Sequence, residues 1–387
     1  MFHTLLVATT TLLTICGLIY CNFCLIAAIS FRRQVHGEHR GFAPPVSILK
    51  PVKGVDPEIY EAFRSHCQQN YSAEYELIFG VNSLTDAAVP MVDRLKAEFP
   101  KHKIRLVLCP HNLGTNGKVS NLVQMAKGAR YDHLLVNDSD IRVDEHYLSN
   151  IMAEFEHPES ERKVGMVTCL YRGIATGTLG SKLEALGIST EFFAGVLCAR
   201  AMEGGLHFAL GSTLACTREA LEKIGGYEAL LDLLADDYEL GARIDKAGYA
   251  VMLAPEVVET MLPAYSFTGF LQHQLRWSRT VRDSRRWGHV GLIFTYPLPW
   301  ALLTVLFSWG LAGAWLLLAA TMLFRFLLAV TVGSYVLRDR QVIRNIFLLP
   351  LRDMVALGIW IASFFGNTIT WRGEVFRLEA GKLIKVE

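Results

Sequence analysis

The sequence predicts an α/β fold, a parallel sheet wrapped by helices and flanked by membrane segments, with an N-terminal anchor and C-terminal transmembrane helices. Three observations predict it. Short β-rich runs alternate with amphipathic helical runs through the middle of the chain. Long uncharged stretches lie at both ends. One of the apolar runs, LLVNDSDI, stops in two carboxylates, Asp138 and Asp140, at what would be the edge of the sheet.

The first uncharged stretch covers residues 4–30 and is followed at once by Phe31, Arg32 and Arg33. It exceeds the roughly 20 residues that a spanning helix needs. It is also longer than the apolar core of a cleaved signal peptide and has no basic start. We therefore expect a retained anchor whose Arg-rich end faces the cytoplasm. A linker-like stretch, 36–45, follows.

The runs VSILK (46–50), ELIFGV (76–81), IRLVL (104–108) and HLLVN (133–137) read as strands, and 57–67, 88–99 and 118–127 carry helical spacing between them. A parallel sheet gathers its chemistry at the carboxyl ends of its strands. That rule selects Lys50 and Gly54 after the first strand, Asn82, Ser83 and Asp86 after the second, and Asp138 and Asp140 after the fourth. Acids at i and i+2 project to one side of an extended chain and can share a hard cation, which in turn can hold a diphosphate. An Asp-rich turn closing the strand is the competing reading.

In LLADDYELGARI (233–244), Asp236 and Asp237 precede a helical pattern. They can cap that helix, or one of them, Asp237, can serve as a general base with a pKa raised by burial and neighbouring acids. The basic segment LQHQLRWSRTVRDSRRW (271–287) reads either as a juxtamembrane helix near anionic lipid or as a diphosphate clamp built on Arg276 and Trp277. Arg279, Arg282, Arg285 and Arg286 go with the lipid-facing reading.

The second uncharged block, 290–324, continues past Arg325 to Leu337 and is long enough for two antiparallel spans with a turn near 310–313. Arg325 must then face a partner or water, or snorkel to the boundary. A last apolar stretch, 354–370, has Arg residues on both sides, so it spans, re-enters or lies in the interface. The resulting division is an anchor over 1–35, a cytoplasmic domain over 40–288 and a membrane region over 289–387.

A net charge of +1 excludes a nucleic-acid partner, since there is no basic excess to neutralise phosphates. The eight cysteines show no ligand spacing, and Cys21 and Cys24 fall inside the anchor. Neither a zinc site nor a disulfide frame is expected.

Taken in order, LKPVKGVDP, GKVSNL, NDSDIRV, GSTLACTREAL, GGY, ADDY, HQLRW and ITWRGEVFRL resemble the family 2 and family 21 glycosyltransferases. The closest similarity is to ceramide glucosyltransferases and the bacterial hopanoid-associated enzymes. The resemblance implies a GT-A (Rossmann-like) domain, a UDP-sugar donor, a divalent cation (Mg2+ or Mn2+) and an inverting transfer to a hydroxyl of a membrane lipid. It assigns Asp237 as the base and Asp140 with Asp138 to the metal. Asp86, Asp138, Lys118, Arg276 and Trp277 go to the donor, and Asn121 joins Lys118 on that side. His273 goes to the acceptor. The segment 173–216, with many small and apolar residues including Phe192 and Phe193, reads either as ordinary core and loop or as an acceptor wall at the membrane surface with Gly211 and Ser212 near the sugar.

Two positions depart from the family pattern. Ser83 stands where its first acid usually does, with Asp86 in the later slot, and His273 leads the last motif in place of Gln or Arg. The sugar, glucose or N-acetylglucosamine, and the lipid, ceramide-like or hopanoid, stay open. A processive polysaccharide synthase shares these motifs but generally needs more spans. An inactive membrane scaffold would keep the fold alone.

Overall fold

The computed structural model describes residues 1–34, 41–156, 160–371 and 374–386. Half of the expected linker, residues 36–40, and Arg372 lie outside them. The chain divides into two compact units, His36–Ile174 with Met202–Pro263 and Gly381–Glu387, and Met1–Val35 with Ala175–Ala201 and Ala264–Ala380. The division expected from hydropathy kept 40–288 together. By contact, 175–201 and 264–288 cluster with the apolar helices, because they form helices of their own that pack there.

The first unit is built on a sheet of eight strands among the described residues: β1 Val46–Pro51, β2 Tyr75–Val81, β3 Lys103–Leu108, β4 His133–Val136, β5 Ile141–Arg142, β6 Val164–Ile174, β7 Leu214–Thr217 and β8 Ala250–Met261. Their order is β3-β2-β1-β4-β7-β6-β8-β5. β1, β2, β3 and β4 pair in parallel and are joined by the helices Ile59–Cys67, Val89–Glu98 and Gly117–Ala126, as the alternating pattern predicts. The sheet as a whole is mixed, which corrects the expectation of a parallel one. β7 runs antiparallel to β4 and β6, and β5 antiparallel to β8. β6 and β8 are long partners that pair in parallel, with a register shift between Cys169 and Leu170 opposite Pro255, which has no N–H to give the ladder.

Asp138 and Asp140 do not share one face of an extended strand. Residues 139–140 form a turn between β4 and β5, closed by Ile141 N donating to Asp138 O at 3.3 Å. The turn is pinned to β8 by Met261 N on Asp140 O at 3.2 Å. Asp236 and Asp237 are likewise not ahead of their helix: they are the first two residues of Asp236–Lys246, and its N-cap, Ala235, makes no side-chain bond.

The second unit is helical. Among the described residues four helices are long and apolar enough to cross a membrane: Phe2–Gln34, Leu179–Glu203, Ala312–Val336 and Arg340–Ser363. The first and third match the expected spans. The span expected ahead of the third is instead two helices, Arg286–Thr295 and Pro297–Phe307, bent by 53° at a break before Pro297. A turn with Gly310 at φ 75° leads on to the third span. The last expected stretch, 354–370, ends its helix at Ser363, and Thr368–Trp371 pairs with Glu374–Glu379 in a hairpin. Leu179–Glu203 is one helix interrupted by a π turn at Ile188–Phe192.

Arg325 faces a partner. It makes two 2.7 Å bonds to the Asp353 carboxylate and a third, at 3.3 Å, to the Thr190 carbonyl in the π turn. Arg279 and Arg282 also have protein partners. Arg279 donates to the carbonyls of Phe365 and Thr368, and Arg282 to those of Ser363 and Gly366, where a helix C-terminus leaves acceptors unpaired.

Candidate active site

Two loops bring the acids of the sheet unit together. One follows β3 and ends at Asn116, whose side chain caps the helix Gly117–Ala126 by accepting from Val119 N at 3.1 Å. The other precedes Asp236. They are stitched by Asn116 N on Leu231 O (2.8 Å), Asn116 Nδ2 on Leu233 O (2.8 Å) and Thr115 N on Asp232 Oδ1 (2.9 Å). Gly114 allows the approach, since a Cβ there would lie 2.7 Å from Leu231.

Lys118 leaves the first loop and joins the acids. Its Nζ is 2.7 Å from Asp138 Oδ1 and 3.6 Å from Asp236 Oδ2. Burial works against this ammonium, yet Asp138 and Asp236 outweigh it and hold its pKa above the ordinary value. Asp236 is thereby committed, bound by Lys118 and by Asn116 Nδ2 at 3.3 Å. Asp237 is not: its only described hydrogen bond is a 2.8 Å contact from Tyr238 N to Oδ1. Burial, then the Asp236 charge, push Asp237 up to about 6, against the lowering effect of Lys118. A carboxyl poised there can take a proton near neutral pH.

Gly211 lies against this carboxylate, and Ser212 follows it in the chain. A Cβ on Gly211 would sit 2.7 Å from Asp237 Oδ2. The Ser212 carbonyl accepts from Asn137 Nδ2 at 2.7 Å, while Ser212 Oγ is buried without a partner among the described residues. A buried hydroxyl left unpaired asks for a ligand or water.

Asp140 accepts from Thr260 Oγ1 through Oδ2 at 2.5 Å. Burial and the neighbouring Asp138 raise its pKa to about 6. Beneath the turn, the buried Lys50 donates to the Asp138 carbonyl at 3.1 Å and approaches His66 Nε2 at 3.5 Å. Burial lowers Lys50 to about 7 and His66 to about 3, so the imidazole is neutral. Ser139 donates to Asp56 at 2.6 Å. Sequence reading had not assigned Asp56, His66 and Thr260 any part, and had marked Lys50 only as a strand-end residue. A lysine closing a wholly buried strand, VSILKP, was the available signal.

No group of three or more His, Cys, Asp or Glu side chains suited to a metal occurs among the described residues. The two carboxylates of the turn are the oxygen donors at hand. They fit a hard cation that keeps its other positions for phosphate oxygens and water.

Asp86 is held by backbone donors. Its carboxylate accepts from Gly54 N on both oxygens at 3.1 Å and from Ala88 N at 2.9 Å, which fixes the loop after β1. Ser83 makes a local turn with Thr85. Asn121 exchanges hydrogen bonds with Asn82 at 2.9 and 3.2 Å. His273, Arg276 and Trp277 belong to the helical unit, on the helix Phe267–Ser284, and Phe192 and Phe193 to Leu179–Glu203.

A mixed sheet with helices, with a DSD turn after β4 and an acid pair opening the helix Asp236–Lys246, has the layout of the GT-A glycosyltransferase fold. The profile of glycosyl transferase family 21 matches residues 9–384, and the chain belongs to that family. Ceramide glucosyltransferase 3 of Caenorhabditis elegans is 26% identical over 287 residues, 69% of this chain and 58% of the worm protein, so the match spans less than two thirds of that relative. Ceramide glucosyltransferase 1 of the same organism is 22% identical over 400 residues, 97% of this chain and 82% of the relative. Among solved structures, the mannosyltransferase PcManGT from Pyrobaculum calidifontis, in complex with GDP-Man and Mn2+, superposes with a TM-score of 0.52 at 18% identity. That superposition covers 93% of this chain and 99% of the other and shows the shared fold.

Proposed function

We propose that the chain transfers a hexose from a UDP-sugar, UDP-glucose or UDP-N-acetylglucosamine, to a hydroxyl of a ceramide-like or hopanoid membrane lipid, with inversion to a β-glycolipid. The observation that carries this reading is the Asp237 carboxyl, raised to about 6 and lying against Gly211 beside the unpaired Ser212 hydroxyl. Asp237 takes the proton of the acceptor hydroxyl as its oxygen attacks the anomeric carbon from the face opposite the leaving UDP. Asp140 and Asp138 hold a divalent cation, Mg2+ or Mn2+, which when bound supplies positive charge to the diphosphate. Lys118 shifts its ammonium from Asp138 toward the same charge. Lys50 keeps the Asp138 backbone in place from below.

Arg276 and Trp277 take donor-side roles and His273 an acceptor-side role, on the resemblance of HQLRW to the family motif. Asp86 and Asn121 serve the donor indirectly, by fixing the loops after β1 and β2. The apolar helices hold the enzyme in the bilayer, with the sheet unit on the cytoplasmic side, where the Arg-rich end of the anchor points.

The test is transfer of radiolabel from UDP-glucose or UDP-N-acetylglucosamine, with Mn2+ or Mg2+, by membranes containing the chain and a total lipid extract. Label in a lipid-soluble β-hexoside supports the assignment. Insoluble polymer would make the chain a polysaccharide synthase, and no metal-dependent transfer would end the proposal.

A further inference from the structure

The turn that walls Asp237 is anchored by a buried amide that the transfer chemistry does not use. Residues 210–213 form this turn, closed by Thr213 N on Leu210 O at 3.3 Å, with Gly211 and Ser212 at its centre. Thr168 on β6 fixes one end: its Oγ1 accepts from Leu210 N at 3.0 Å and donates to Leu210 O at 3.1 Å. Asn137 fixes the other, through Nδ2 on the Ser212 carbonyl at 2.7 Å.

Asn137 stands where β4 parts from β7, whose last pair is Val136 with Leu214. Its own N–H still reaches Leu49 O at 3.3 Å, so its backbone stays with the sheet. A carbonyl oxygen can only accept, and the Ser212 contact therefore decides which way the amide points. Nδ2 also donates to Tyr147 Oη at 2.8 Å and lies 3.2 Å from Thr213 Oγ1, and those two hydroxyls bond each other at 2.9 Å. Asn137, Tyr147 and Thr213 are all fully buried, where a satisfied polar network is rigid.

The residue after Asn137 is Asp138, whose carbonyl Lys50 holds at 3.1 Å. The residue before Ser212 is Gly211, where a Cβ would lie 2.7 Å from Asp237 Oδ2. One continuous path of bonds and close contact thus joins the DSD turn to Asp237. Of the two side chains that anchor the 210–213 turn, only Asn137 adjoins an acid of the DSD turn. A displacement reaction is sensitive to such a path, because the group that activates the nucleophile and the group that holds the leaving diphosphate must keep their separation.

We propose that Asn137 is a positioning residue for sugar transfer, which sets Asp237 and the Gly211–Ser212 turn in register with the DSD turn. It acts through the Ser212 carbonyl and makes no contact with the reacting atoms. The role rests on Asp237 as the base and on the DSD turn as the donor end, as proposed above.

The experiment is a double-mutant cycle on the full chain in detergent, Asn137→Ala with Asp237→Asn, read as UDP released from the UDP-sugar and as label transferred. Titration of UDP with Mn2+ accompanies it. A merely structural role and a positioning role both lower the unfolding temperature, since the Ser212 carbonyl loses its donor, so the cycle has to separate them. With Asp237 present, Asn137→Ala should lower kcat by about 10- to 100-fold, the cost of a reacting group misplaced by about 1 Å, and leave UDP affinity within about twofold. In the Asp237→Asn background the same substitution should cost less than about twofold, because no base is left to misplace. Equal losses in the two backgrounds, or weakened UDP binding in Asn137→Ala, would overturn the role. If Asn137→Ala does not fold, Asn137→Ser closes the same cycle with a small polar group in the space. Wild-type turnover in Asp237→Asn would remove the base and this role with it, whereas a crippled Asp237→Asn with additive losses removes this role alone.

Discussion

Gly211 and Asp237 are packed so closely that a methyl group on Gly211 would lie 2.7 Å from Asp237 Oδ2. The glycine needs no unusual φ; it is there for space. Gly211→Ala should push the carboxylate out of line and lower kcat, while thermal unfolding stays close to wild type because the site is only half-buried. Asp237→Asn keeps the volume and removes the base, so kcat should fall by about 10²- to 10⁴-fold. Steady-state transfer assays on both variants check this, and substantial turnover in Asp237→Asn would remove Asp237 as the base.

Activity should rise with pH through about 6. Asp237 acts only when ionised, and its raised pKa places the loss on the acid side, below about 6. Asp140 also stands near 6, so its protonation weakens cation binding on the same limb. At limiting Mn2+ the acid limb should therefore be steeper than one proton. Saturating Mn2+ should keep Asp140 ionised and restore a one-proton slope. A profile flat from pH 5 to 8 would contradict both assignments.

Lys118 ties Asp138 to Asp236 from the first turn of the helix Gly117–Ala126. Lys118→Met leaves two partly buried acids without their cation, so they repel each other and open to a metal. Mn2+ should then bind more tightly in the absence of donor, by severalfold on the scale of about 1 kcal/mol for a partly screened pair, while the donor KM rises. Electron paramagnetic resonance titration of free Mn2+ measures the first effect and initial rates the second. Weaker Mn2+ binding in the variant would contradict the ion-pair account.

How far this site could be read from the sequence follows from the range of each interaction. β1, β2 and β4 were legible because buried parallel strands are largely apolar runs with helices between them, and β3, the half-exposed edge strand, through its run IRLVL. β7 was not, because its register depends on pairing Leu134 with Cys216, 82 residues away, which leaves no local period. The DSD turn stood out at a strand end, but its conformation depends on β8, which binds Asp140 through Thr260 and Met261. Similarly, Asp236 and Asp237 were equivalent in sequence. Only Lys118 and Asn116, brought in by the preceding loop, commit the first and leave the second available.

The buried pair Arg325–Asp353 separates a stabilising role from a specifying one. Both side chains are under 10% exposed, and the bidentate geometry, with the Thr190 carbonyl as a third acceptor, satisfies most of the guanidinium. Removing one partner strands a charge in an apolar surround, which costs about 3–5 kcal/mol, whereas replacing both with apolar groups of similar volume is often neutral. Arg325→Met and Asp353→Leu should therefore each lower the unfolding temperature of the detergent-solubilised protein sharply, and the double variant should recover most of that loss. An unfolding temperature of the double variant no higher than that of either single variant would contradict this account.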